Sequence, residues 1–420
     1  MRYHHRHVEK RLSRMADRFP ILVLGGARQT GKSTLLARLF GDRARTFVFD
    51  PVVDVGDARR DPELFLHVNP PPLILDEVQY APELLSVLKR TTDARPGEKG
   101  LYFLTGSQQL QVLKSVRESL AGRAFVMDLW PMSDTELSPE LRPGLLDILY
   151  SEARPPDARE LLARLAERAP PSTSGGALYE KMFRGGYPGL MEFRTDEVIE
   201  WFSSYLRTYV ERDVRTLRDL SEPHDFTRFV RLCAALSAQE VNFAKLGREI
   251  GVTPKTARGW LKVMSASYQS VFLDAYSGNT VKRISGKPKM YTTDTGFACF
   301  LLSISSPNGL GSHPRLGALF ETYVVTEILK HLEGLPARPR VWHWRARSGA
   351  EVDLLLERDG IFVALEIKLA ARPSRRDLSG LRAFRDTYPH LDLALNVVVH
   401  GGSDLYLLDD QSVALPVAWI

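Results

Sequence analysis

Nine residues near the N-terminus constrain this chain more than any others. Gly26-Ala27-Arg28-Gln29-Thr30-Gly31-Lys32-Ser33-Thr34 follow directly on the apolar run ILVLG and open a helical pattern, KSTLLARLF. Two glycines flanking four residues, then Lys-Ser, is the spacing at which backbone N–H groups wrap a phosphate chain at a helix N-terminus. Lys32 would neutralise the β and γ phosphates, and Ser33 would hold a magnesium ion. A chance glycine-rich turn has no reason to fall between a strand and a helix. The feature demands strand, tight loop and helix in that order, and therefore an α/β fold with a parallel sheet. ATP and Mg2+ are the cofactors it calls for.

The neighbouring sequence supplies the rest of such a sheet. Apolar runs TFVFD, PLILDEV and LYFLTGS alternate with helical patterns, as strands covered on both faces do. PLILDEV ends in two acids; Asp76 would stand near the magnesium and Glu77 near an attacking water. LYFLTGS closes on polar residues, of which Ser107, with Thr105, is a candidate sensor of the γ-phosphate. SLAGRAF offers Arg123 as a candidate arginine finger for a neighbouring subunit, a group worth about three to five decades of rate where one operates. A surface arginine after the helix-ending Gly122 is the alternative.

Composition sets limits around this core. At 420 residues the chain exceeds one ordinary core and calls for two to four domains. Its 44% hydrophobic and 25% charged residues are those of a soluble globular protein. No run of eighteen apolar residues offers a membrane span, and the basic leader lacks the apolar segment of a secretory signal. With only two cysteines, the expected compartment is the cytoplasm. The net charge of +5 permits a nucleic-acid partner without requiring one.

Two later stretches carry chemistry. AKLGREIGVTPKTARGWLKVM has the rhythm of helix, glycine turn and second helix, with Thr253 as cap and Pro254 in the first turn. Ala257, Trp260, Leu261 and Met264 share one face of the second helix, and Lys255, Arg258 and Lys262 share the other. Downstream, NTVKRISGKPKMY reads as a hairpin wing with Lys282, Arg283, Lys287 and Lys289. Basic residues on helix and wing would meet DNA phosphates; solvated charges on a packing module are the alternative. In GAEVDLLLERDGIFVALEIK, Asp353 precedes Glu366-x-Lys368 across an Asp-Gly turn. Glu366 and Lys368 fall on one strand face, so Asp353 and Glu366 would share a divalent cation. Ordinary cross-strand ion pairs are the competing account. Trp342, His343, Trp344 and Arg345 nearby suit a surface that grips nucleic acid.

The order GGARQTGKST, LILDEVQ, LTGSQ, SLAGR, followed by FRGGYPG, PKMYTTDTG and SGAEVDLLL, resembles prokaryotic AAA+-type P-loop ATPases with a C-terminal winged helix and a PD-(D/E)xK nuclease-like region. The resemblance implies a P-loop AAA+-like parallel-sheet domain over 1–137, a linker or insertion over 138–176 and a helical lid over 177–222. A winged helix over 223–305 and a restriction-endonuclease-like α/β domain over 306–420 would complete it. It also implies a homo-oligomer acting through Arg123, and it puts a further nuclease-site acid at Glu321. No second-sensor arginine stands out; Arg184 and Arg207 are candidates. The expected function is an ATPase that binds or remodels DNA. The alternatives are an ATP-regulated, magnesium-dependent nuclease and a signalling switch acting on a protein partner.

Overall fold

The computed structural model describes residues 3–106, 120–138, 144–167, 175–209, 223–279, 281, 283 and 286–420. Five strands make the first sheet: β1 (Ile21–Gly25), β2 (Arg45–Val48), β3 (Leu73–Asp76), β4 (Tyr102–Gly106) and β5 (Ala124–Asp128). All pair in parallel, in the order β2-β3-β4-β1-β5. Every residue of β1, β3 and β4 is buried. That is why these runs read as continuous apolar segments rather than as alternating ones. One face is covered by helices Glu9–Ala16 and Lys32–Phe40, the other by Pro62–Val68 and Leu84–Asp93. The order inserts β4 between the strand that leads into the phosphate loop and the strand that ends in the two acids.

The remaining strands form a second sheet, nine-stranded among the described residues. They are β6 (Gln239–Glu240), β7 (Ser270–Ala275), β8 (Lys289–Thr292), β9 (Arg340–Arg345), β10 (Glu351–Arg358), β11 (Ile361–Lys368), β12 (Asp392–His400), β13 (Tyr406–Asp409) and β14 (Ser412–Pro416). β10 and β11 form the expected hairpin, and Asp359 and Gly360 at its tip both have positive φ, 55° and 79°. Helices Phe243–Ile250 and Pro254–Ala266 precede β7, and the Thr253 hydroxyl accepts from the Thr256 N–H at 3.1 Å. β7 pairs with β8 on one side and with β9 on the other, so one sheet runs from the helix-turn-helix segment into the C-terminal segment.

A single large core follows the same continuity. It joins Leu145, Phe202, Phe229, Leu261, Phe297, Val324 and Leu365. The stretch read as a linker differs most from expectation. Helices Leu145–Leu149 and Ala158–Ala166 lie in it, with Leu145, Leu149, Leu161 and Leu165 fully buried. Ser151, Pro155 and Pro156 sit between short helices that need tertiary partners, so the composition suggested a loop where packing makes a wall. No described helix is long and apolar enough to cross a membrane.

Candidate nucleotide site and C-terminal carboxylate cluster

The phosphate loop sits where β1 meets helix Lys32–Phe40. Gly26 has φ 144°, and a Cβ there would lie 2.3 Å from the Leu129 carbonyl oxygen. Gly31 caps the helix at φ 91°. Both positions therefore exclude larger residues. The loop buries Ala27 and Thr30, half-buries Arg28 and exposes Gln29, while Ser33 and Thr34 are exposed at the helix start. The Lys32 ammonium is buried and donates to the carbonyls of Gly26 at 3.0 Å and Ala27 at 2.8 Å. Arg28 donates to the Tyr80 hydroxyl at 3.1 Å, joining the loop to the turn that follows the acids.

Asp76 ends β3 as a buried carboxylate and accepts from the Thr105 hydroxyl on β4. The same Thr105 oxygen accepts the Glu77 N–H at 3.0 Å. Glu77 has φ 56°, which turns it away from the strand, and its carboxylate accepts from the Gln79 amide. Thr105 is thus the residue that β4 brings between the acids. Ser107 lies outside the described residues. Arg184 is committed to the carbonyls of Leu190 and Phe193, both at 2.7 Å, and Arg207 is exposed.

Arg123 stands at the other end of the sheet. Its carbonyl pairs with the Ile21 N–H at the start of β1, whereas the loop follows the end of that strand. Its guanidinium makes a two-pronged pair with Asp93. That pairing holds Arg123 above the usual arginine range and Asp93 below the usual carboxylate range. From this position Arg123 cannot serve its own chain's loop.

The loop is also braced from outside. Arg6, 7% exposed, donates to the Thr30 carbonyl at 2.9 Å, to Glu136 at 3.0 Å and to the Trp130 carbonyl at 2.6 Å. Burial works against charge on Glu136, but Arg6, His7 and backbone donors hold its carboxyl below the usual range. Glu136 closes a capping box with Ser133. The far side of that turn is held by the C-terminal helix Leu316–Gly334. Glu327 accepts the Asp134 N–H at 2.6 Å, Lys330 donates to the Met132 carbonyl at 3.1 Å, and His331 lies 2.7 Å from the Thr135 hydroxyl. A second tie is Tyr268, whose hydroxyl donates to Asp128 at 2.8 Å and lies 2.1 Å from where a Cβ on Gly25 would sit. None of these residues stood out in the sequence, although S-D-T-E is a legible capping-box signature.

On helix Pro254–Ala266, Ala257, Leu261 and Met264 are buried and Trp260 packs edge-on against Phe226 and Phe229. Lys255, Arg258 and Lys262 are exposed, with Arg258 lying 4.9 Å over the Phe243 ring. The expected wing is different. Arg283 lies over the Tyr276 and Trp342 rings, at 4.4 and 5.6 Å. Lys282 lies outside the described residues, and Lys289 is 2% exposed and points inward. The expected gripping aromatics are packed too: His343 and Trp344 are buried, and the Trp342 indole donates to Glu357 at 2.8 Å. Aromatic side chains on a strand with two paired neighbours are drawn into the core, whatever charge lies beside them.

The structure brings Glu321, Asp353, Glu366 and Lys368 together and adds Lys289. The Lys289 ammonium donates to Glu321 at 3.0 Å and to Asp353 at 3.2 Å. Tyr291 donates to Glu321 at 2.8 Å, and the other Asp353 oxygen accepts the Ile367 N–H at 2.9 Å. Lys368 donates to Glu366 at 2.6 Å, while the second Glu366 oxygen is buried without a hydrogen-bond partner. Burial and the nearby Asp353 push Glu321 up to about 7 and Glu366 up to about 8. A cavity of about 460 Å³ opens beside Lys289 and Glu321, lined also by Lys245, Lys287, Arg345 and Glu351.

Residues 18–138 match an AAA domain, 176–308 a domain of unknown function (DUF8612) and 316–420 another (DUF4143). Two uncharacterised proteins, from Mycobacterium tuberculosis and Mycobacterium bovis, are each 30% identical over 409 residues, which is 97% of this chain and 82% of theirs. A Walker-type ATPase of Pyrococcus abyssi is 15% identical, over 70% of this chain and 94% of its own, with a TM-score of 0.45. The chain belongs to one family with the two mycobacterial proteins, and its phosphate loop and AAA domain make it an AAA-type P-loop ATPase.

Proposed function

We propose that this ATPase is a nucleotide-driven DNA-binding machine. One observation carries the reading: Arg6, bonded to the phosphate loop, and the C-terminal helix grip the same turn, Ser133–Glu136. A change at the loop is therefore felt at the helix that bears Glu321. Lys32 would exchange its two loop carbonyls for phosphate oxygens, and Ser33 and Asp76 would hold Mg2+. Glu77, held by Thr105, would orient the attacking water. The ion supplies charge neutralisation; the chain supplies a buried acid, a buried ammonium and a fixed threonine.

The DNA contact is assigned to the exposed face of helix Pro254–Ala266, with Lys255, Arg258 and Lys262, in a segment read as a winged helix. Phosphate contacts of this kind give salt-sensitive, sequence-blind affinity. The segment from 316 onward is read as nuclease-like in fold. Arg123 is assigned to a neighbouring subunit's nucleotide in a homo-oligomer, because its own loop lies at the opposite end of the sheet.

The test is ATP turnover with and without duplex DNA, at low and moderate salt. Turnover is expected to rise with DNA at low salt and to lose that rise when Lys255, Arg258 and Lys262 are changed to Gln together. Turnover indifferent to DNA at both salts would refute the DNA assignment and favour a protein partner on the same face.

A further inference from the structure

The structure assigns Lys289 the part of a resident cation: its ammonium occupies the place between Glu321 and Asp353 that a divalent metal would take, so the C-terminal carboxylate cluster works without metal. This rests on the nuclease-like reading of the cluster's fold, but neither on DNA binding nor on ATP turnover.

The argument begins with the satisfaction of oxygens. Lys289 spans the two carboxylates at 3.0 and 3.2 Å. The remaining Asp353 oxygen is taken by the Ile367 N–H, and the bonded Glu321 oxygen also receives Tyr291. A metal bridging Glu321 and Asp353 would have to expel an ammonium whose side chain is 3% exposed, from between its two carboxylate partners. Two positive charges cannot share that gap. Among the described residues, no group of three His, Cys, Asp or Glu is placed to hold a metal ion.

The origin of the lysine adds a second purpose. Lys289 belongs to β8, which pairs with the helix-turn-helix strands β6 and β7, whereas Asp353 and Glu366 belong to the hairpin β10–β11. The ion triad fastens one segment to the other within the shared sheet. Removing Lys289 would leave the Glu321 and Asp353 carboxylates without the cation between them, and carboxylate oxygens are donors that a hard divalent cation takes.

The experiment uses the full chain without nucleotide and Mn2+ as probe, followed by electron paramagnetic resonance, with thermal unfolding in parallel. Wild type and Asp353→Asn should bind Mn2+ alike. Lys289→Ala should bind one further Mn2+ at least about tenfold more tightly than the wild type, and Mn2+ should restore part of its lost stability. That gain should vanish in Lys289→Ala/Asp353→Asn. ATP turnover of the single variants, measured separately, should stay near wild type, which keeps this inference distinct from the ATPase reading. A Mn2+ site in the wild type that Asp353→Asn removes would overturn the assignment. So would a folded Lys289→Ala with no added site. If Lys289→Ala does not fold, the comparison of wild type with Asp353→Asn decides alone.

Discussion

The two sheets each have acids and a buried lysine close by, yet they handle the lysine in opposite ways. In the parallel sheet, Lys32 donates to the loop carbonyls of Gly26 and Ala27. In the nine-stranded sheet, Lys289 donates to two carboxylates. A carbonyl is a neutral acceptor that an incoming phosphate readily replaces. A buried carboxylate is a full charge, and parting it from its ammonium leaves both uncompensated. The first arrangement is poised for a ligand; the second has already supplied its own. Residue types at a spacing do not distinguish the two.

The largest expected effect breaks the comparison on its first side. Lys32→Ala should abolish ATP turnover while the unfolding of the C-terminal segment stays as in the wild type; retained turnover would remove the phosphate-loop assignment. Next, Arg123→Ala should keep nucleotide binding and lower hydrolysis by about a thousandfold or more if the arginine acts across subunits. Assemblies mixed from both chains should then lose activity more than in proportion, and strict proportionality would argue against a shared site.

On the second side, Asp353→Ala should cost about 3–5 kcal/mol of stability, because it strands a buried ammonium. Denaturant titration checks this, and a cost below about 1 kcal/mol would make the triad an ordinary surface pair. Between the sheets, Arg6→Lys should raise the KM for ATP by about tenfold through lost loop contacts, leaving the metal behaviour of the cluster unchanged. An unchanged KM would detach the leader from the loop.

The smallest effect is a pH dependence at the shared turn. Burial and the neighbouring His331 push His7 down from 6.5 to about 3. Between those values the unfolded chain binds a proton that the folded chain refuses, so stability falls as pH drops below 6.5. At pH 5.5 the loss is about 1 kcal/mol, and it should shrink in His7→Gln. An identical pH response in both proteins would show that His7 does not report on the turn.

Much of this was legible in the chain. The phosphate loop, the acids ending β3 and the Asp-Gly hairpin are local, and each has a spacing that physics demands of neighbouring residues. The amphipathic helix Pro254–Ala266 is local too, and its apolar face is buried as the 3.6-residue period requires. Lys289 was not legible in the same way. In sequence it is one lysine of a basic run, and only the pairing of β8 beside β7, with β7 on β9, turns it toward Asp353. Arg6 lies in a basic leader that looks solvated, and it becomes buried because Glu136 and two carbonyls far along the chain converge on it. The stretch 145–166 reads as loop until its leucines meet the large core.

The sequence by itself determined where a triphosphate would be held, because the loop, its lysine and its helix are contiguous and their geometry follows from backbone spacing. The tertiary structure alone decided what the C-terminal acids hold. Charge compensation in a buried site depends on which distant strand arrives there, and no spacing along one segment records that.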